Sequence, residues 1–171
     1  PGLRMISRVG IGLDSVDLLA AERRGITVSY TPDAPAPAVA ELTIGLMFSL
    51  MRSIHVANAQ MHMGEWRRHF GRRVSELTIG VMGAGRIGGR VLRHLAALGA
   101  GRLLVNDTNP ECRLDSTMPG EWVEKDVIYR EADIVSLHVP LTAQTKNMVR
   151  REHLLHMKPD AMIVNTARGG I

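Results

Sequence analysis

The feature that most constrains this fold is a glycine pattern that follows an apolar run near the middle of the chain. Residues 77–82 predict a buried parallel strand, and Gly83, Gly85 and Gly88 then give the spacing G-x-G-x-x-G. The first glycine permits a tight turn, the second leaves room for a pyrophosphate beside the backbone, and the third lets a helix over 86–98 lie close to the strand. The positive N-terminal end of that helix would hold the phosphates without a cationic side chain.

A second apolar run and an acidic residue follow at the spacing that this pattern requires. Residues 102–106 predict a second strand, and Asp107 lies nineteen residues after Gly88. A carboxylate at that strand end accepts hydrogen bonds from both ribose hydroxyls of an adenosine and repels a 2′-phosphate. The sequence therefore predicts NAD rather than NADP. A structural glycine turn with a solvated aspartate is the weaker interpretation, because strand, turn, helix, strand and acid occur in order.

Composition indicates a globular protein. The chain has 171 residues, of which 45% are hydrophobic and 22% charged, so disorder does not describe the whole chain. The longest nearly uninterrupted apolar run, 42–51, is too short to cross a bilayer, and the N-terminus lacks a signal-peptide pattern. We therefore expect no membrane partner and a cytoplasmic location. Cys112 is the single cysteine, which excludes an internal disulfide and a cysteine metal cluster.

The basic charge balance raises the question of a nucleic-acid partner. The formal net charge is +4, and the densest basic patch is 67–73. That patch lies in a connector that contains glycine and has no helix-turn-helix, zinc or stacking-aromatic pattern around it. We therefore expect no nucleic-acid partner and interpret the patch as a solvated loop near an anionic cofactor or substrate.

The first thirty residues predict one β-α-β unit. Residues 4–9 and 26–29 predict strands, and a helix between them ends near Gly25, which suits a left-handed C-terminal position. One such unit cannot bury both faces of a sheet, so it indicates part of a larger domain. Pro32, Pro35 and Pro37 then mark a connector and predict a domain boundary.

A long helix is predicted over 38–63, and its apolar residues cover most of its circumference. Two interpretations carry equal weight. The helix is buried on two sides, by its own domain and by a second subunit, or it is sunk in its own core. The first interpretation predicts a homodimer through this helix.

Strands alternate with helices through the rest of the chain. Residues 134–138 and 161–165 predict further strands, with a helix over 151–157 between them. This alternation predicts an α/β fold of the Rossmann type, a doubly wound parallel sheet whose ligands gather at the carboxyl ends of the strands. The residues predicted at such ends are Gly10, Gly83, Asp107, Val139 and Arg168.

Several motifs together resemble one enzyme family. They lie at 7–14, 24–26, 38–43, 64–66, 79–90, 133–142, 157–159 and 165–169. The chain resembles the D-isomer-specific 2-hydroxyacid dehydrogenases, including the phosphoglycerate dehydrogenase-like members. In that family both chain termini form a substrate domain, and the cofactor domain is inserted between them. The resemblance implies that 1–31 belong to a flavodoxin-like substrate domain and that 32–171 form the NAD-binding Rossmann domain without its C-terminal strands.

The resemblance also implies roles for individual residues. Arg8, Val9 and Gly10 would receive the acidic groups of the substrate. Arg168 would be the catalytic arginine, which binds the carboxylate of a 2-oxo acid and polarises its carbonyl, because a guanidinium stays charged and donates two parallel hydrogen bonds. Besides Arg168 itself, the implied NAD contacts are Ile11, Gly83, Gly85, Arg86, Ile87, Gly88, Asp107, Val139, Pro140, Thr166 and Ala167.

The chain departs from the family in its histidines. The family uses a histidine as acid and base, with a glutamate that orients it, downstream of the arginine motif, and none of the seven histidines here lies in that motif. We therefore expect no dehydrogenase activity from these 171 residues alone. His153 and His156 have i, i+3 spacing without a third ligand nearby, so a solvated helix face is favoured and no metal site is expected.

Two functions of different class follow from the resemblance. The first is NAD-dependent hydride transfer at C2 of a small D-2-hydroxy or 2-oxo acid. The second is an NAD(H)-sensing binding module, because the same fold occurs in corepressors that resemble these dehydrogenases.

Overall fold

The computed structural model describes residues 2–171 as a series of short helices and strands. In chain order the elements are β1 (Met5–Arg8), α1 (Leu18–Arg23), β2 (Thr27–Tyr30), α2 (Ala36–Met51), α3 (Ile54–His62), β3 (Thr78–Met82), α4 (Gly88–Ala97), β4 (Arg102–Asn106), β5 (Glu121–Trp122), α5 (Lys125–Glu131), β6 (Ile134–Leu137), α6 (Arg151–His156) and β7 (Met162–Asn165). Contacts divide the chain into two compact units, Pro1–Ala38 and Val39–Ile171.

The first unit contains the predicted β-α-β arrangement. β1 and β2 pair in parallel, with Met5 opposite Thr27. The Asp17 carboxylate accepts a hydrogen bond from the Ala20 amide at 2.8 Å and so caps α1 at its N-terminus. Gly25 has φ of 63° after the helix, as predicted from its position.

The second unit is built on a five-stranded parallel sheet with the order β5-β4-β3-β6-β7. Numbered from β3, this is the order 3-2-1-4-5 of a doubly wound sheet, so the predicted Rossmann-type fold is confirmed. The order reverses between β3 and β6, and a crevice for ligands is expected at their carboxyl ends. The sequence did not predict β5, because two residues are too short to show a periodic pattern.

The two faces of this sheet are covered by different helices. Side chains alternate along each strand, so Ile79, Val81 and Ile134 pack with residues of α2 and α4 in one cluster. Leu104 and Val135 point to the opposite face, where they pack with α5. Both faces of the central strands are therefore buried, which explains why their sequences are continuous apolar runs.

The long helix predicted over 38–63 is wrong as a single helix. Ser53 adopts a left-handed conformation with φ of 52°, and α2 and α3 meet there at 68°. This break was not predicted from the sequence, because neither proline nor glycine lies at it. Within residues 2–171 no single helix has both the length and the apolar character of a membrane span, and only this bent pair, counted as one, meets that test.

A network around Asp133 holds the amino end of the sheet. Asp133 is only 4% exposed, and its carboxylate accepts hydrogen bonds from the Thr78 amide at 2.7 Å and from Arg72 and Lys158 at 3.0 Å each. Burial alone would raise the pKa of Asp133, but the Thr78 amide and the two cations hold it below its usual value. Arg73 pairs with Glu76, so part of the basic patch 67–73 is neutralised within the chain.

Candidate functional site

The glycine loop after β3 has the geometry that each glycine was predicted to provide. Gly83 has φ of 92°, and a Cβ there would lie 2.6 Å from the His138 carbonyl oxygen. A Cβ at Gly88 would lie 1.8 Å from the Gly83 oxygen, so only glycine lets α4 approach the strand this closely. A Cβ at Gly85 would meet no described atom within 4 Å. The loop therefore leaves open space where the predicted pyrophosphate would lie.

Helix α4 begins directly after this loop. Ile87 is its N-cap residue, and Arg86 is exposed beside it. Gly89 donates its amide to the Gly85 oxygen at 2.9 Å, which joins the first turn of α4 to the loop. The positive end of the helix therefore faces the carboxyl edge of the sheet, where it would stabilise phosphate groups.

Asp107 follows β4 and is joined to the same loop. Its Oδ2 accepts a hydrogen bond from the Ala84 amide at 2.7 Å, and its Oδ1 accepts one from the Asn109 amide at 2.8 Å. The carboxylate is half-buried, so its remaining lone pairs can accept ribose hydroxyls. Burial, and then the charge of Asp107, raise the pKa of the Cys112 thiol, so this thiol is protonated at neutral pH.

The end of β6 borders the loop from the other side. The His138 amide donates to the Met82 oxygen at 2.8 Å, and Val139 and Pro140 follow at the surface of this edge. The His138 Nε2 lies 2.9 Å from Ser136 Oγ, whereas its buried Nδ1 has no hydrogen-bond partner among the described residues. Burial lowers the pKa of His138 to about 4, so the imidazole is neutral at pH 7 and is poorly suited to be an acid.

The turn after β7 is held by Asn165, a residue that the sequence reading did not select. Its Oδ1 accepts from the Ala167 amide at 3.0 Å, and its Nδ2 donates to the Arg168 oxygen at 2.9 Å. The Arg168 side chain is half-buried, and its Nη1 donates to the Ala167 oxygen at 2.8 Å. An Asx turn was the available signal, because an asparagine at the end of an apolar strand often bonds to the backbone two residues on.

Thr43 is a second residue that the sequence reading missed. It lies on α2 with its side chain fully buried, and its Oγ1 is 2.8 Å from Thr166 Oγ1. A buried hydroxyl on an otherwise apolar helix face needs a partner. The sequence could therefore have indicated that Thr43 needs a hydrogen-bond partner, but not that the partner is Thr166.

The predicted substrate contacts lie in the first unit. Arg8 ends β1 and donates its Nε to the Gly12 oxygen at 3.0 Å, while Val9 is 85% exposed. Gly10 has φ of 132°, and its amide donates to Thr31 Oγ1 at 2.8 Å. Ile11 follows in the same turn and is half-buried. Thr31 therefore fixes the turn that presents these residues.

The two histidines of α6 already have partners within the chain. His153 stacks on Tyr129 with ring centroids 4.6 Å apart, and its Nδ1 accepts from the Arg150 amide. His156 Nδ1 bonds to the Glu152 oxygen at 2.7 Å. Within residues 2–171 no group of three or more metal-ligating side chains occurs.

The open space at Gly85, the close approach at Gly88 and the acid at Asp107 together fit a dinucleotide. Sheet order and loop define the class as a Rossmann-type dinucleotide-binding domain. A family model described as "D-isomer specific 2-hydroxyacid dehydrogenase, NAD binding domain" matches residues 44–171. The chain belongs to this family, and NAD is the cofactor of the domain, so both predictions are confirmed.

Named relatives agree with this assignment. A hydroxypyruvate reductase of Thermotoga maritima is 40% identical over 170 residues, which are 98% of this chain and 54% of the relative. A D-3-phosphoglycerate dehydrogenase of Methanocaldococcus jannaschii is 40% identical over 172 residues, 99% of this chain and 33% of the relative. The chain thus spans about half, or less, of these relatives.

A solved structure shares the fold over nearly the whole chain. A D-lactate dehydrogenase from Aquifex aeolicus, complexed with NAD and lactic acid, superposes with a TM-score of 0.86 at 29% identity. The match covers 99% of this chain and 51% of that one.

Proposed function

We propose that the protein is an NAD-dependent oxidoreductase that acts at C2 of a small D-2-hydroxy or 2-oxo acid. The observation that carries the proposal is the convergence of three groups at the carboxyl edge of one parallel sheet. The glycine loop follows β3, the Asp107 carboxylate follows β4, and the Arg168 guanidinium follows β7. A phosphate site, a ribose acceptor and a cation for a carboxylate are the groups that a dinucleotide and a 2-oxo acid require.

Each group at the carboxyl edge of the sheet has one role in the proposed reaction. The amides at Arg86 and Ile87, at the positive end of α4, hold the pyrophosphate, with Val139, Pro140 and Ala167 along the other half of the dinucleotide. Asp107 accepts the adenosine ribose hydroxyls. Arg168 swings from the Ala167 oxygen to the substrate, where it binds the carboxylate and polarises the C2 carbonyl.

The bound cofactor supplies a hydride acceptor or donor at its nicotinamide ring. A group that gives or takes the proton of the substrate oxygen is also required. His138 is buried and neutral, and the family resemblance assigns this task to a histidine downstream of Arg168. Arg8, Val9, Gly10 and Ile11 would contribute to the substrate side, as part of a domain that includes 1–31.

We further propose a cytoplasmic homodimer that uses α2 and α3. One face of α2 packs on the sheet through Ala40, Met47 and Met51, while Leu42, Leu46 and Leu50 are exposed on another face. An exposed apolar stripe on a helix suits an isologous interface, because the same patch then meets itself across a two-fold axis. Leu46→Glu should produce monomers by sedimentation, whereas Leu155→Glu on α6 should not.

The test of the activity is an Arg168→Lys variant in the complete gene product, assayed with NADH and glyoxylate, hydroxypyruvate or phosphohydroxypyruvate. Lysine keeps the charge but loses the two parallel donors, so kcat/KM should fall by roughly 10²–10³-fold. Arg151→Lys, at an exposed position of α6, is the matched control. An Arg168→Lys variant as active as the control would overturn the proposed role.

A further inference from the structure

Two hydroxyl groups in hydrogen-bonding contact link the buried face of α2 to the residue that follows β7. Thr43 and Thr166 are 123 residues apart in sequence, and their Oγ1 atoms are 2.8 Å apart. The Thr43 hydroxyl also lies 2.8 Å from the Val39 carbonyl oxygen, one helical turn earlier. Both groups belong to the second unit, and Thr43 is fully buried.

The direction of these hydrogen bonds follows from counting protons. The Val39 carbonyl can only accept, so Thr43 must donate its one hydroxyl proton to it. Thr43 Oγ1 therefore accepts in its contact with Thr166, and Thr166 must donate its own proton inward. Thr166 is half-buried, and because its proton is committed to Thr43, its hydroxyl oxygen can only accept a further hydrogen bond.

The position of Thr166 decides which part of the cofactor it faces. Asp107, the predicted ribose acceptor, follows β4, whereas Thr166 follows β7 on the other side of β3. A dinucleotide lies across the switch point between β3 and β6. Its adenosine half then lies toward β4, and its nicotinamide half lies toward β6 and β7.

We propose that Thr43 is a positioning residue for NAD, because it fixes Thr166 as a hydrogen-bond acceptor toward the nicotinamide half of the cofactor. The group accepted from the cofactor is then a donor, either the carboxamide N–H or a hydroxyl of the nicotinamide ribose. This inference rests on the proposed NAD site, but it assigns the polarity of one atom in that site and a role to a residue that touches no cofactor.

The test compares dissociation constants for NAD and for 5′-AMP in the complete protein. Thr43→Val keeps the shape of the side chain but removes the acceptor, so Thr166 is free to rotate. NAD should bind about fivefold more weakly, as expected for one hydrogen bond, whereas 5′-AMP should bind as before. Thr43→Ser should restore NAD binding, and Thr27→Val in β2 is the matched control.

A double-mutant cycle with Thr166→Val separates positioning from general damage. Thr43→Val should add little to the loss already caused by Thr166→Val, because the two residues act through one hydroxyl. If Thr43→Val does not fold, Thr43→Ala takes its place in the cycle. The 3-acetylpyridine analogue of NAD identifies the donor: a Thr166→Val penalty that disappears with this analogue indicates the carboxamide, and one that persists indicates the ribose.

Three results would overturn the inference. The first is unchanged NAD affinity in Thr43→Val or Thr166→Val. The second is an equal loss of NAD and 5′-AMP affinity, and the third is full additivity of the two substitutions. Failure of the unmodified protein to bind NAD would instead contradict the NAD site itself, so the two failures are distinguishable.

Discussion

Polar groups at the two ends of the five-stranded sheet differ in how many hydrogen-bond partners they have within the chain. At the amino end, the buried Asp133 carboxylate is met by an amide and two cations from its own chain. At the carboxyl end, Asp107 is held by two amides but remains half-exposed, and the buried Nδ1 of His138 has no partner among residues 2–171.

This difference is the one expected between a structural network and a binding site. Buried polar groups are normally satisfied, so a network that is complete within the chain has no capacity left for a ligand. Groups that keep unused donors or acceptors at a concave edge can bind one. By this criterion we expect the amino end of the sheet to contribute to stability and the carboxyl end to bind the ligand.

The largest expected effect concerns catalytic activity at the carboxyl end of the sheet. The 171-residue chain alone should show kcat/KM at least roughly 10⁴-fold below a full-length relative such as the Thermotoga maritima hydroxypyruvate reductase. A positioned histidine contributes about 10²–10⁴-fold to proton transfer, and correct substrate placement adds roughly 7–11 kcal/mol. NADH oxidation with glyoxylate or hydroxypyruvate is the measurement, and turnover within tenfold of the relative would contradict the prediction.

The buried imidazole of His138 at the carboxyl end should make stability depend on pH. The pKa of His138 is about 4 in the folded chain and about 6.5 when unfolded. The unfolded state therefore binds more protons between these values, and stability falls as the pH falls through that window. We expect a loss of about 2 kcal/mol in the free energy of unfolding between pH 7 and pH 5.

Urea unfolding at both pH values measures this loss. His138→Gln is the control, because its amide can still reach Ser136 but does not titrate. A variant that loses the same free energy as the natural chain would show that another group causes the pH dependence.

Removal of the charge at the amino end should lower stability without affecting the cofactor. Asp133→Asn keeps an acceptor for the Thr78 amide but leaves Arg72 and Lys158 without their carboxylate, at a cost of about 1.5–2 kcal/mol at pH 7. The pKa of Asp133 is lowered in the folded chain, so this contribution is present above the ordinary carboxyl pKa and is lost as the pH falls through the lowered value.

Asp160→Asn is the matched control for Asp133→Asn, because the exposed Asp160 contacts Arg72 from the solvent side. It should change stability by less than about 0.5 kcal/mol. Weaker NAD binding by Asp133→Asn, with an unchanged free energy of unfolding, would contradict the assignment of the amino end of the sheet to stability.

The smallest expected effect concerns Asp107 at the carboxyl end of the sheet and the preference for NAD over NADP. Asp107→Asn keeps the size of the side chain and an oxygen for the loop amides but removes the charge that repels a 2′-phosphate. The preference for NAD over NADP should narrow by about tenfold, with little change in stability. Dissociation constants for both cofactors measure it, and an unchanged ratio would place the selectivity elsewhere. Asp115→Asn in the following loop is the control.

Local sequence patterns predicted the parts of the molecule that depend on near neighbours. The glycine spacing predicted the loop after β3, because Gly83 needs positive φ and Gly88 needs close packing within a few residues of each other. The break at Ser53 was missed, because a serine in a left-handed conformation carries no local signal. Strand β5 was also missed, since its two residues become a strand only through pairing with β4.

The sequence by itself therefore determined the class of fold and the cofactor, because apolar periodicity and glycine spacing are short-range properties. Only the tertiary structure decided which polar groups meet. It brought Thr43 to Thr166, and Arg72 and Lys158 to Asp133, across many residues of chain. Such contacts depend on strand order and helix packing together, so no local pattern contains them.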